Sequence, residues 1–292
     1  MTTAMPPANA VFLVAARDQP GLVARLAGFF YQRGLNILDA SNHTDLYAEN
    51  APRFFMRLVV DLGAQADAPA RSELERAFAA LAGELAATWS VGFSDVLPRV
   101  AILVTKEPGC LYDLILRQRS GELRCELPLV IGNQPALQPV AEGFQIPFFT
   151  LPVTAATKRE QEQRMLTLLR EHRVDLVVLA RYMQIVTEEF LAQAPVAINI
   201  HHGFLPAFQG ARPYQQAHDR GVKLIGATAH YVTRDLDQGP IIEQDVARVS
   251  HQEGPEELAR VGRDVERVVL ARAVRAHLER RVLVEGRRTI VL

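Results

Sequence analysis

The apolar positions of this chain change their period as it runs. Val11 to Ala15 form a short continuous apolar run and predict a strand. The turn Asp18-Gln19-Pro20-Gly21 then leads into a segment whose Leu22, Val23, Leu26, Phe29 and Phe30 recur at helical spacing. Gly34 follows where a left-handed residue ends a helix. Residues 36–43 predict a second strand. Next, Phe54, Met56, Leu58 and Val60 alternate with Arg53, Arg57 and Asp61. A period of two marks a strand with one buried face, hence an antiparallel sheet. A helix over about residues 70–82 and a strand over 88–93 complete the order β-α-β-β-α-β of a ferredoxin-like domain.

From residue 100 onward the strands change type. Residues 100–104, 127–131, 176–180 and, but for Asn199, 196–200 are continuous apolar runs, as in strands covered on both faces, and such strands are mostly parallel. Helical segments separate them. Thr157-Lys158-Arg159-Glu160 fits a capping box opening a helix that runs to about His172, with Met165, Leu168 and Leu169 inward. Thr187 predicts the cap of a short helix over 188–193. Alternating strand and helix predict an open, mostly parallel wound α/β sheet, whose chemistry lies at the carboxyl ends of the strands. Residues 281–284 and 289–292, joined at Glu285-Gly286, read as a closing hairpin. The expected organisation is a first domain over 9–94, a linker over 95–99 and a second domain over 100–292.

Composition narrows the function classes. In 292 residues, 49% hydrophobic and 22% charged positions are the balance of a globular protein with room for a large core. The 32 basic and 33 acidic side chains leave a net charge of −1, which offers no field for nucleic acid or a membrane surface. No apolar stretch approaches a membrane span. The start, MTTAMPPANA, has no basic region followed by an apolar one, so the expectation is a reduced, cytoplasmic protein. Cys110 and Cys125 carry no nucleophile motif and are read as packed thiols.

The candidate chemistry gathers in two segments. In INIHHGFLPAFQGAR, residues 198–212, Asn199 and His201 end a buried strand and point to one side of an extended chain. Gly203, Pro206 and Gly210 then exclude a helix. An Asn amide can donate to a developing oxyanion, and a His can transfer a proton near neutral pH. The second segment, GATAHYVTRDLDQGPII, residues 226–242, begins as a strand and becomes a loop carrying Asp235 and Asp237. A carboxylate near an imidazole orients it and raises its pKa. Residue pattern alone leaves open which Asp does so. Neighbouring histidines with diverging side chains, without an i,i+4 pair, are a poor metal set, so no metal is expected.

The pieces NIH (199–201), LPAFQGARPY (205–214) and GATAHYVTRDLDQGPII resemble, in order and spacing, the folate-dependent formyltransferase family. The version HHGFLPAF behind an extra N-terminal domain resembles the formyltetrahydrofolate deformylases within it. The resemblance implies hydrolysis of 10-formyltetrahydrofolate to tetrahydrofolate and formate, feeding purine synthesis and balancing the one-carbon pool, without a cofactor. It implies Asn199, His201 and Asp237 as the catalytic trio, Asp237 being the Asp of Leu-Asp-x-Gly-Pro. It implies substrate contacts from Arg181, Tyr182, Met183, Ile185 and Val186, from His202, and from Val232, Arg234 and Asp235.

Two departures bear on this. Transferases of the family have a Gly- and Ser-rich phosphate-cradling turn after the first strand, where this chain has Thr-Lys-Glu-Pro-Gly-Cys-Leu-Tyr. Deformylases usually have Ser where this chain has Gly203, which bears on how that loop is held. The alternatives are a transferase passing the formyl group to an amine acceptor, and a sensor that binds folate or an amino acid without turnover.

The segment RDQPGLVARLAGFFYQRGLNILDASNH, residues 17–43, resembles an ACT domain, a regulatory module that binds amino acids between copies. Its physical core is Gly21 at a helix start, where free N–H groups can hold a carboxylate. The resemblance implies effector contacts at Asp18, Gly21, Leu22, Asn36 and Ile37, an effector such as methionine or glycine, and a homo-dimer or homo-tetramer. A ferredoxin-like dimerisation module without a ligand is the alternative.

Overall fold

The computed structural model describes residues 8–48, 51–207 and 213–292. Gly210 and its neighbours 208–212 in the quoted loop lie outside the described residues. The chain divides into two compact units, the first comprising residues 1–97, 280–285 and 290–292, the second 98–279 and 286–289.

The first unit contains β1 (Asn9–Arg17), α1 (Leu22–Tyr31), β2 (Asn36–Asp45), β3 (Arg53–Asp61), α2 (Ala68–Glu84) and β4 (Thr88–Phe93). Its antiparallel sheet has the order β2-β3-β1-β4, the ferredoxin-like arrangement. The helix faces bury Leu26, Phe30 and Phe78 against Phe12 and Leu58 of the sheet. Phe12, Phe30 and Phe78 meet with ring centroids 4.6–5.8 Å apart, the edge and offset geometries that aromatic quadrupoles favour. Asp67 caps α2 by accepting from the Ala70 N–H at 2.8 Å.

The period of two in β3 predicts one buried face, yet Phe55 on the other face is buried as well. The cause lies at the far end of the chain. Leu283, Ile290 and Leu292 pack on Leu13, Ala15 and Phe55. Polar contacts pin this cover: Arg57 Nε donates to the Arg280 carbonyl at 3.1 Å, and Arg53 pairs with Glu285 at 3.1 Å. Most of the closing hairpin therefore groups with the first unit, although in sequence it follows the second.

The second unit begins with β5 (Arg99–Val104), α3 (Gly109–Arg119), β6 (Glu126–Gly132), α4 (Gln138–Gly143) and β7 (Phe148–Thr150). It continues with α5 (Lys158–Glu171), β8 (Leu176–Leu179), α6 (Glu188–Leu191), β9 (Val196–His201) and α7 (Pro213–Asp219). Then come β10 (Leu224–Tyr231), β11 (Ile241–Arg248) and α8 (Pro255–Leu278), with β12 (Val282–Glu285) and β13 (Arg288–Val291) forming the hairpin. The large sheet has the order β11-β10-β9-β8-β5-β6-β7. Strands β9, β8, β5, β6 and β7 pair in parallel, while β10 pairs antiparallel with both β9 and β11. Ile102, Val130 and Val178 are fully buried, as parallel strands covered on both faces require.

Two local expectations fare differently. Thr187 caps α6 by accepting from the Phe190 N–H at 3.2 Å. Thr157 does not cap α5: its hydroxyl accepts from the Thr154 N–H at 3.0 Å instead, so the local turn wins the oxygen.

Candidate active site

The site lies at the carboxyl ends of β8 and β9, where β10 closes beside them. Asn199 and His201 alternate along β9, so both face one side. Antiparallel pairing places His230 directly across from Asn199, and Thr228 across from His201. The chain leaves β10 into a loop that returns at Pro240, whose carbonyl accepts the Tyr231 N–H at 2.9 Å. Gly239 is required there, because a Cβ would overlap the Tyr231 carbonyl. This tight return puts Asp237, at a left-handed φ of 54°, against the histidines. A non-glycine residue in that region is the kind of strain that functional sites hold.

His201 Nδ1 lies 3.2 Å from Asp237 Oδ2, with the two side chains 4% and 11% exposed. If Nδ1 donates to the carboxylate, Nε2 keeps its lone pair. That nitrogen is buried and has no partner among the described residues. Burial would raise the Asp237 carboxyl, but the hydrogen bond with His201 opposes it and holds the group well below the usual carboxylate range. His230 Nδ1 meets its neighbour's carbonyl, that of Tyr231, at 2.9 Å. A carbonyl only accepts, so Nδ1 carries the proton and neutral His230 offers its Nε2 lone pair to Asn199 Nδ2, 3.3 Å away. One amide N–H is thereby committed and the other remains for a ligand.

These groups line a cavity of about 610 Å³. Arg181, Tyr182, Met183, Ile185 and Val186 form one wall, and Val232 and Arg234 another. His202 also lines it. Asp235 does not: its side chain is 63% exposed beside Arg234, and only its carbonyl matters locally, accepting from Thr233 and the Gln238 N–H. Met183, Ile185 and Leu236 are exposed apolar side chains at this cavity, a surface suited to a flat heterocycle.

The walls are held from behind. On α5, Lys158, Gln161 and Glu162 share one face by spacing. Lys158 Nζ donates to the Ile185 carbonyl, Gln161 Nε2 to the Tyr182 hydroxyl at 2.9 Å, and Glu162 accepts from the Thr187 N–H at 2.9 Å and from its hydroxyl. The loop after His202 is held by Thr228. Its hydroxyl accepts from the Leu205 N–H at 3.0 Å and donates to the Gly203 carbonyl at 2.9 Å. The loop thus relies on the backbone of Gly203, and a side-chain hydroxyl there is not needed for that anchor.

A buried cluster backs the His202 side. Tyr214 donates to Glu266, and Arg181 Nη1 pairs with the same carboxylate at 3.3 Å. Gly262 on α8 makes room for the Tyr214 ring, since a Cβ would overlap it. Burial raises Glu266, with Arg181 and Tyr214 opposing. His202 is pushed down to about 3, first by burial and then by the Arg181 charge. His230, Tyr214 and Glu266 were not singled out by sequence reasoning. The signal for His230 is present, since it stands two places from Thr228 in the quoted strand, but its partner emerges only from the register with β9.

Among the described residues no group of three or more His, Cys, Asp or Glu side chains is arranged to hold a metal. Both cysteines are free and buried, and burial raises the Cys125 thiol to about 12. No helix among the described residues is long and apolar enough to cross a membrane. In the first unit, Asp18, Gly21 and Leu22 line a separate cavity of about 560 Å³ at the uncapped start of α1. Asn36 and Ile37 stand outside its lining.

The formyl transferase family model matches residues 98–274. A formyltetrahydrofolate deformylase of Synechocystis is 53% identical over 283 residues, 97% of this chain and 98% of that protein. This chain belongs to the formyltetrahydrofolate deformylase family. The deformylase of Bacillus subtilis is 46% identical, covering 96% of this chain and 92% of its own length. A crystal structure of a deformylase from Pseudomonas syringae superimposes with a TM-score of 0.91 at 41% identity, over 99% of this chain and 96% of that one. Membership of the deformylase family therefore spans both units, whereas the formyl transferase match is confined to the second.

Proposed function

We propose that the second unit hydrolyses 10-formyltetrahydrofolate to tetrahydrofolate and formate. The observation that carries this is the His201–Asp237 pair at 3.2 Å beside Asn199, on the wall of a cavity with apolar surfaces for the pterin. The full-length similarity to formyltetrahydrofolate deformylases supports the same substrate.

Water adds to the formyl carbon, and its departing proton passes to His201 Nε2. The free Asn199 N–H donates to the oxyanion, a contact typically worth about 2.7–4 kcal/mol of barrier. The bond from carbon to N10 then breaks, and His201 returns the proton to N10. In this reading Asp237 orients the imidazole and stabilises its charged form. A carboxylate held so far below its usual range is a weak base, so the water's proton goes to the imidazole. No cofactor takes part in these steps. The formate would supply purine synthesis and the free folate would balance the one-carbon pool.

Purified protein given 10-formyltetrahydrofolate alone should release free formate. Turnover that appears only when an amine acceptor is added would establish formyl transfer in its place, and tight folate binding without turnover would establish a sensor.

We also propose that the first unit is an ACT-like regulatory module taking an amino-acid effector such as methionine or glycine. The support is the cavity at Asp18, Gly21 and Leu22, where Gly21 at φ 87° opens α1 with no side-chain cap. We place the protein in the cytoplasm as a homo-dimer or homo-tetramer. A thermal-shift series of amino acids on the full chain, with light scattering for mass, tests these points. No shift with any amino acid would leave a dimerisation module.

A further inference from the structure

We propose that His202 holds the attacking water, as the second hydrogen-bond acceptor beside His201. The inference rests on the hydrolytic reading above and adds a residue to it. A water that attacks carbon must aim one lone pair at that carbon. Its two hydrogens must then be accepted elsewhere, or the molecule turns. His201 Nε2 accepts one and takes that proton. The other hydrogen stays on oxygen into the product, and it needs a neutral acceptor that will not remove it.

The cavity wall offers few such groups. Asp237 faces His201 through one oxygen and His230, at 3.7 Å, through the other. The Tyr214 hydroxyl lies at the buried Glu266 carboxylate, to which it donates, and a guanidinium such as Arg181 only donates. The Asn199 N–H groups serve His230 and the oxyanion, leaving its Oδ1 as a competing neutral acceptor. His202 has no hydrogen-bond partner among the described residues. Its ring centroid lies 5.3 Å from that of His201 and 6.1 Å from that of Tyr214. One water bonded to two acceptors spans nitrogens roughly 4.5 Å apart, which suits two rings at that separation. Burial beside Arg181 keeps His202 uncharged, with a lone pair available at working pH. Arg181 and Tyr214 are in turn fixed by the single carboxylate of Glu266, so the ring next to them has a fixed setting.

The step balances as ordinary hydrolysis. The water oxygen bonds to the formyl carbon, the carbon–N10 bond breaks, one proton ends on N10, and formic acid loses the other to solvent.

The test is a competition between nucleophiles. Hydroxylamine attacks as a free amine and does not need both hydrogens held, so the ratio of formate to formylhydroxamate reports how well water is positioned. His202→Phe keeps a flat ring and removes the acceptor. The ratio should fall about tenfold, the value of one hydrogen bond to a reacting group. His202→Asn restores an acceptor and should keep the ratio within about threefold of the unaltered protein on the same scale. It also serves if the Phe variant does not fold. An unchanged ratio in Phe, or an Asn variant that shifts as far as tenfold, would overturn the role of His202 while leaving hydrolysis intact. Absence of formate from the unaltered protein would overturn the hydrolytic reading and this inference with it.

Discussion

Asn199 and His230 face each other across β9 and β10, with the amide Nδ2 3.3 Å from the ring Nε2. The contact is a cross-strand pair, the shortest-range interaction a sheet provides. It fixes which way the amide points, because His230 Nδ1 is already spent on the Tyr231 carbonyl. Replacing His230 by Phe leaves the Asn199 amide free to turn. The expected outcome is a kcat lower by about tenfold, with KM changed by less than about threefold, the value of one hydrogen bond acting mainly in the transition state. Steady-state kinetics decide it. A rise in KM alone would mean that His230 shapes the folate pocket instead.

Asp237→Asn should reduce kcat by about 10⁴, as when the carboxylate that sets an imidazole tautomer is lost. Binding of a non-hydrolysable folate analogue, followed by calorimetry, should stay close to that of the unaltered protein. Near-normal turnover in this variant would remove Asp237 from the mechanism.

Acid should destabilise the second unit in two stages. His202 is pushed from 6.5 to about 3 in the fold, so between those values the unfolded chain binds a proton that the folded one refuses, and stability falls as pH drops. Asp237 lies below its ordinary 3.8, so its contribution, present above that value, is lost at still lower pH. Denaturation midpoints measured from pH 7 to 4 should show a shallower decline in His202→Asn than in the unaltered protein. Parallel curves would show that His202 is not held neutral.

Thr228→Val keeps the shape and removes the hydroxyl that serves Leu205, Gly203 and Gln244. Leaving those buried groups unpaired should cost about 1–3 kcal/mol. The loop after His202 should also become more open to proteolysis. Urea unfolding and limited proteolysis measure the two effects.

Gly262→Ala inserts a methyl group where the Tyr214 ring passes. Overpacking of this kind costs about 1–3 kcal/mol. Calorimetry should show a lower Tm, and the displaced Tyr214 should loosen the Glu266 cluster. An unchanged Tm would mean that the ring can move aside without loss.

Both sheet types were legible in the sequence, for reasons that reside in single strands. Alternation in 53–61 and unbroken apolar runs such as 100–104 report whether a strand is covered on one face or two. The same reasoning misjudged β3, because the cover over Phe55 comes from Leu283 and Ile290, far along the chain. Asn199, His201 and Asp237 were nameable from motif resemblance. Their convergence also needed the antiparallel entry of β10 and the tight return at Gly239.

What the sequence determined by itself was local: element type, the break after His202, and a set of side chains able to donate, accept and carry charge. The tertiary structure alone decided which nitrogen of His230 meets Asn199, why His202 stays neutral, and that Glu266 fixes Arg181 and Tyr214 together. The reason is that periodicity is written within one segment, whereas register, burial and charge environment are properties of segments brought together from distant parts of the chain.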